Sequence, residues 1–128
     1  MPGATILVLD DSEINRDLLR STLEPMGYKV IIATTAEEGI ALAKTSKLDL
    51  VLSDMHMPGQ SGLDFLKLIK ADLDLRRIPF VFISSSVWGE SERAEAVSLG
   101  AAKFILRPIE PHELLYEIED CLHKKECD

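Results

Sequence analysis

The sequence predicts a three-layer α/β/α sandwich built on a five-stranded parallel sheet. Strand-like and helix-like patterns alternate from end to end, as expected of βα units joined by right-handed crossovers. The strand-like runs are near-continuous Val, Ile and Leu, as in Thr5-Ile6-Leu7-Val8-Leu9 and Leu48-Asp49-Leu50-Val51-Leu52-Ser53. Such runs suit strands covered on both faces, whereas a half-exposed strand would alternate apolar and polar residues. Both runs also end in acid, the first in Asp10-Asp11 and the second in Asp54. In open α/β sheets ligands collect beyond the carboxyl ends of the strands, so these acids fall where chemistry is expected.

The elements follow in order. After the first strand, Ile14, Leu18, Leu19, Leu23 and Met26 recur at helical spacing, with Ser12 as N-cap and Gly27 as the closing C′ glycine. Tyr28 to Ala33 reads as the second strand. Thr35 caps a helix running through Ser46, with Glu37 and Glu38 at its positive end. The third strand ends at Asp54, and Met57-Pro58-Gly59-Gln60-Ser61-Gly62 is a loop of turn formers. Leu63 to Ala71 reads as a helix carried by Leu63, Leu66 and Ile69. Pro79 opens the fourth strand, Phe80 to Ser84. Ser91 is the expected cap of a helix through Leu99, closed by Gly100. Lys103 to Leu106 is a short fifth strand. Pro111 opens a last helix that buries Leu114, Leu115, Ile118, Cys121 and Leu122. Lys124 to Asp128 read as a frayed end, or as the point where a longer protein continues.

At 128 residues and 46% hydrophobic content, the chain is expected to form a single domain over 1–128 with its core at about 4–123. The net charge of −8 disfavours nucleic acid and anionic lipid, both of which are bound by cationic faces. No run is long enough to span a membrane, and Met1-Pro2-Gly3-Ala4 leads directly into a core strand, so no signal peptide is expected. Cys121 falls at a core position and Cys127 in the tail, outside any disulfide framework. A reducing, cytoplasmic location is the expectation.

If the first and third strands are neighbours, Asp10, Asp11 and Asp54 meet at one edge. Three carboxylates repel one another unless a cation or protons neutralise them. Hard oxygen donors suit Mg²⁺ or Mn²⁺, and Mg²⁺ needs only one or two carboxylates beside its waters. An acid pair after a strand is a weak signal alone, because Asp often caps the next helix; the second strand ending alike adds the weight. Ser84 closes the fourth strand, where a hydroxyl can bond an oxyanion or simply serve the turn. Arg107 closes the fifth beside Pro108, able to hold a phosphoryl group or to form a salt bridge to Asp54 or Asp10.

Acid pair, single acid, hydroxyl and cation-Pro thus end strands one, three, four and five in order. Together with Ser53-Asp54-Met55-His56-Met57-Pro58, Gly62-Leu63, Ile83-Ser84-Ser85 and Gly100-Ala101, they make the chain resemble a receiver domain of two-component response regulators, the family of the chemotaxis response regulator. The resemblance runs from Ile6 to about Leu122. It implies the flavodoxin-like strand order 2-1-3-4-5, which sets strands one and three side by side. It implies Asp54 as phosphoacceptor, receiving a phosphoryl group from a sensor histidine kinase or phosphotransfer protein. Asp11, Asp54 and the His56 backbone carbonyl would ligate Mg²⁺, with Asp10 acting through a metal-bound water. Ser84 would bond the phosphoryl oxygen, and Phe104 would be the switch aromatic. The family is a switch rather than an enzyme; its chemistry is confined to its own phosphorylation and dephosphorylation.

Arg107 departs from the family's Lys, and Arg is a planar fork where Lys is a point charge. The resemblance also implies a cis Arg107-Pro108 peptide and an output through helix four, strand five and helix five, including Glu95, Lys103, Phe104 and Glu117. The DNA-binding branch carries acid at the position of Lys103 and Arg at that of Glu117; both signs are reversed here. A downstream effector or a fused output domain is therefore left open. Trp88 is expected to pack against the helix that follows it. Competing classes fit less well. A haloacid dehalogenase-type phosphatase needs Asp-x-Asp, and the chain has Asp10-Asp11-Ser12. Two aspartates would repel a flavin phosphate. A degenerate receiver used only for docking is the remaining alternative.

Overall fold

Successive residues of each strand face opposite helix layers, and this single fact organises the core. The computed structural model describes residues 3–57, 60–84 and 89–127. Five strands, β1 (Thr5–Leu9), β2 (Lys29–Ala33), β3 (Leu50–Ser53), β4 (Phe80–Ser84) and β5 (Lys103–Leu106), form one parallel sheet in the order β2-β1-β3-β4-β5. Ile6, Val8, Leu50, Leu52, Val81 and Ile83 face α1 (Glu13–Leu23) and α5 (Pro111–Cys127). Leu7, Leu9, Val51, Phe80 and Phe82 face α2 (Ala36–Thr45), α3 (Gly62–Ala71) and α4 (Glu90–Ser98). The expected sandwich, sheet and strand order are all present. Among the described residues no helix is long and apolar enough to cross a membrane.

Most caps are those expected. Ser12 Oγ accepts the Asn15 N–H at 3.3 Å, and Thr35 Oγ1 accepts the Glu38 N–H at 3.1 Å. Glu38 reaches back to the Thr34 N–H at 2.8 Å, so the start of α2 is closed from both sides. Gly27 and Gly100 take φ of +93° and +100°, a region that L side chains avoid. The last helix buries Leu114, Ile118, Cys121 and Leu122 as its spacing requires, while Leu115, also expected to be buried, is only partly so at the margin of that cluster. The Arg107-Pro108 peptide is cis.

Four expectations are corrected. The first helix does not bury all five of its apolar positions: Leu19 and Leu23 are buried, while Ile14, Leu18 and Met26 are 72%, 60% and 53% exposed. At about 100° per residue, the Ile14/Leu18 pair points roughly 140° away from the Leu19/Leu23 pair, so one sheet cannot cover both. Met26 lies beyond α1, in the 3₁₀ turn Glu24–Met26. The fourth helix starts earlier than a Ser91 cap allows. Gly89 is its N-cap and has no side chain to cap with; Glu92, inside the first turn, accepts the Gly89 N–H at 3.3 Å, the half of a capping box that an N3 carboxylate supplies. The third helix includes Gly62, because Ser61 Oγ caps it through the Asp64 N–H at 3.2 Å. The backbone of α5 continues to Cys127, past the expected frayed end. Trp88 and the Cys127 thiol lie outside the described residues and side chains.

Two features fix the end of the sheet that carries the acids. A two-residue antiparallel ladder pairs His56 with Ser61 and Met57 with Gln60, pinning the loop after β3. Gly62 N–H then donates to the Met55 carbonyl at 2.7 Å. A Cβ on Gly62 would collide with the Asp54 carbonyl oxygen and meet the Phe82 ring at 2.7 Å and Met55 Cα at 3.0 Å. On the far side, Lys103 of β5 reaches Asp120 at 2.7 Å and Glu117 at 3.2 Å on α5. Burial alone would lower the Lys103 pKa, but its hydrogen bonds to Asp120 and Glu117 raise it above the ordinary 10.5.

Gly62→Ala should cost about 2–3 kcal/mol by overpacking against backbone that cannot yield. The loss is measurable by urea unfolding, and an unchanged midpoint would refute the close approach. Lys103→Met should cost roughly 1 kcal/mol at neutral pH. Because the folded-state pKa of Lys103 is raised, its contribution is complete below 10.5 and is lost as pH rises through the folded value. The difference between Lys103→Met and the parent in thermal melts should therefore shrink in strongly alkaline buffer and stay constant below it.

Candidate functional site

The acids converge because of strand register. Leu9 of β1 lies opposite Ser53 of β3, and the ladder continues one step further with the Asp54 N–H on the Leu9 carbonyl at 2.9 Å. On the other side the Asp10 N–H reaches the Ala33 carbonyl of β2 at 3.3 Å. Asp10 and Asp54 thus leave the same edge of the sheet. Each of Asp10, Asp11 and Asp54 offers a carboxylate oxygen, and these atoms lie within 4.8 Å of one another. Asp10 is 1% exposed, Asp54 is half-buried and Asp11 is exposed, so the cluster runs from the interior to the surface.

The buried member is held on every side. Asp10 Oδ1 accepts the Ser12 N–H at 2.9 Å, and Oδ2 accepts from Arg107 Nη2 at 3.0 Å. Its carbonyl accepts from Arg16 Nη1 at 2.9 Å. Arg107 is delivered by the β4–β5 ladder: its N–H donates to the Ser84 carbonyl at 2.8 Å. Ser84, 2% exposed, therefore sits one rung from the guanidinium. Arg107 forms an ion pair with Asp10, one of the two acids the sequence offers it.

The donor set fits a small hard cation. Three carboxylate oxygens already gathered within 4.8 Å match the roughly 4.2 Å that separates opposite oxygens of an octahedron with ~2.1 Å bonds. A divalent ion would also relieve repulsion that Arg107 offsets only in part. Receiver domains typically bind Mg²⁺ at such an acid cluster. The His56 peptide follows Asp54 by two residues and is fixed by its pairing with Ser61.

Phe104 lies away from the acids, half-buried on β5. Its ring stacks on Phe82 at 5.8 Å and 22°. Phe82 in turn meets Phe80 at 4.9 Å, and Phe80 meets Phe65 of α3 at 5.6 Å. The outer face of Phe104 is covered by the Arg93 guanidinium, 4.9 Å from the ring centroid.

Arg16 and Arg93 are contacts that sequence reasoning did not single out. A signal existed for Arg16: it lies one turn beyond the Ser12 cap, and helix side chains lean towards the N-terminus, here towards Asp10. None existed for Arg93, since its ring partner comes from a strand eleven residues later, across the sheet edge. A groove of ≈ 470 Å³ opens beside the site, lined by Leu18, Thr22, Arg107, Pro108 and Pro111 among others. Leu18 in this lining is 60% exposed.

Residues 6–119 match the family model of the response regulator receiver domain. The chain is 36% identical over 117 residues to the sensory/regulatory protein RpfC of Xanthomonas campestris, covering 90% of this chain but 16% of RpfC. It is 29% identical to the phosphate regulon transcriptional regulatory protein PhoB of Pseudomonas aeruginosa, of which it spans 54%. With the polar-differentiation response regulator DivK of Brucella anthropi it shares 30% identity, covering 92% of this chain and 95% of DivK. Among solved structures, a CheY-like receiver domain protein from Methanospirillum hungatei superposes with a TM-score of 0.89 at 27% identity, covering 97% of both chains. Vibrio cholerae CheY4 superposes with a TM-score of 0.87 at 26% identity, covering 93% of this chain and 98% of that one. The chain belongs to the response regulator receiver domain family.

Proposed function

We propose that this receiver domain is a Mg²⁺-dependent switch whose phosphoacceptor is Asp54. The observation that carries the reading is the gathering of three carboxylates within 4.8 Å at the sheet edge, with Ser84 and Arg107 on the adjoining strand ends. In the proposed reaction an Asp54 carboxylate oxygen attacks phosphorus of a partner's phosphohistidine. The new O–P bond forms as the N–P bond breaks, and the imidazole leaves with its electron pair and takes up a proton. Phosphoryl transfer needs alignment and charge neutralisation more than covalent assistance. A divalent cation held by Asp11, Asp54 and the His56 carbonyl, with Asp10 behind a water, would neutralise the charge of the phosphoryl oxygens. Ser84 Oγ would bond one of these oxygens, and Phe104 would read out the displacement. The signal would leave through α4, β5 and α5. The chain's own chemistry would be confined to acquiring and losing this phosphoryl group.

The groove beside Arg107 and Pro108, with exposed Leu18 in its lining, supports docking of a sensor histidine kinase or phosphotransfer protein there. Its apolar rim suits one face of a partner helix. The relatives also support a downstream effector or a fused output domain, since RpfC and PhoB extend far beyond the matched segment while DivK does not.

Incubation with acetyl phosphate and Mg²⁺, followed by intact mass measurement, tests the acceptor. One phosphoryl adduct is expected; Asp54→Asn and excess EDTA should each abolish it. Ser84→Ala should still label, because the acceptor and the acids remain. An adduct that persists in Asp54→Asn refutes the assignment, and no adduct in any form leaves a docking module.

A further inference from the structure

We propose that the cleft at the amino edge of the sheet, between the end of α2 and the segment joining α3 to β4, is a docking site for an acidic peptide segment of a partner protein. An apolar side chain of that segment sits on the cleft floor, and its carboxylates meet Lys47 and Arg77. The cleft lies at the edge opposite the acid cluster, and the proposal is independent of the phosphoacceptor.

β3 and β4 start side by side, with the Val51 N–H on the Pro79 carbonyl at 2.9 Å. The residues that lead into them, 43–48 and 72–78, therefore meet, and between them they enclose a cleft of ≈ 520 Å³. Its floor is Ala43, Leu48, Leu75 and Ile78, all buried. The wall after α3 is pre-formed. The Leu75 and Arg76 N–H groups both return to the Asp72 carbonyl, at 3.2 and 3.0 Å, and Lys70 Nζ holds the Arg76 carbonyl at 2.9 Å. An occupant need not order this wall, which removes one cost of binding. An apolar floor with a few charged groups at its rim is also the usual make-up of a ligand cleft.

The rim decides the charge of the occupant. Lys44, Lys47 and Arg77 stand there with Asp72 and Asp74. Lys44 and Asp72 are paired at 3.6 Å, and Asp72 Oδ1 also accepts the Asp74 N–H at 2.8 Å. Lys47 and Arg77 are exposed, and among the described residues neither has an ion-pair partner. On a chain of net charge −8, two uncommitted cations beside an apolar floor make a place where an acidic partner is attracted while the net charge repels it elsewhere. A phosphate group fits less well. Phosphate is held best by the N–H groups of a helix N-terminus. Here α2 presents its C-terminal end, with the Ser46 N–H already on the Leu42 carbonyl at 2.9 Å. Carboxylates spaced along a peptide can instead reach separate long cations and leave Asp74 to solvent.

The probe is a capped peptide of sequence Asp-Glu-Leu-Leu-Asp-Glu, titrated at low salt into the isotope-labelled full chain and followed by amide NMR shifts. Shifts are expected at 43–48 and 72–78, and binding should weaken as NaCl is added. Lys47→Ala and Arg77→Ala should each weaken it about threefold, and the double variant about tenfold. Lys29→Ala removes an exposed cation at the start of β2, outside the cleft, and should leave binding unchanged. Shifts confined to other residues would overturn the proposal, as would equal binding of a peptide with serine in place of both leucines. Tighter binding of oligothymidylate at the same residues would make this a phosphate site and overturn it too. No binding of the peptide by the parent would overturn the proposal while leaving the phosphoacceptor reading, which acetyl phosphate tests separately, untouched.

Discussion

The pairing of β1 with β3 is the constraint on which the rest depends. Both strands are apolar on both faces, so hydrophobic pattern alone does not set their register: a one-residue slip would still bury Val, Leu and Ile. Polar groups set it instead. At the lower end Asp49 clamps Thr5 twice, its N–H on the Thr5 carbonyl at 2.8 Å and its Oδ2 on the Thr5 N–H at 2.8 Å. At the upper end the Asp54 N–H closes on the Leu9 carbonyl. Between those clamps the strands have one register, and it places Asp54 beside Asp10. The acid at the foot of β3 is thus as necessary to the site as the acids at its head.

Bringing like charges together is unfavourable, and the chain answers with geometry on each acid in turn. Asp10 is surrounded by donors from its own turn, from α1 and from β5. Asp54 is held by its backbone: its N–H bonds the Leu9 carbonyl, and the next residue, Met55, is fully buried with its carbonyl accepting from the Gly62 N–H. Asp11 is left exposed. Electrostatic strain is therefore concentrated on the outermost part of the cluster, where a cation from solvent can relieve it.

How much of this was legible follows from which signals are local. Ser12 and Thr35 announce their helices because a capping hydroxyl acts within three residues of itself. The strand-end acids were legible because a buried parallel strand is a short apolar run with a sharp end. The order of the strands was not, since nothing in a strand's composition names its neighbours; it came from likeness to a known family. The exposure of Ile14 and Leu18 was not legible, because apolar residues at helical spacing do not show which side of the helix the protein covers. Gly89 was passed over for Ser91 because it has no capping side chain; the one bond that marks this start is the Gly89 N–H on Glu92, three positions later. That Arg107 pairs with Asp10 needed coordinates, since a strand-end cation does not name its partner among nearby acids.

The same reasoning bears on the side of the molecule away from the acids. Phe80 and Phe82 of β4 pack ring on ring, and Phe82 stacks on Phe104 of β5. A line of ring contacts therefore runs from β4 to β5, and it ends at the Arg93 guanidinium of α4. Contact alone does not make this a relay, but it fixes what must move: the Phe104 ring cannot turn without leaving Phe82 or uncovering Arg93. Lys103, the neighbour of Phe104, is committed to Glu117 and Asp120 of α5, and Glu95 of α4 to Lys67 of α3 at 3.1 Å. The charges at these positions are paired within the chain. Two copies meeting through Lys103 and Glu117 would first have to break a pair that β5 and α5 already share.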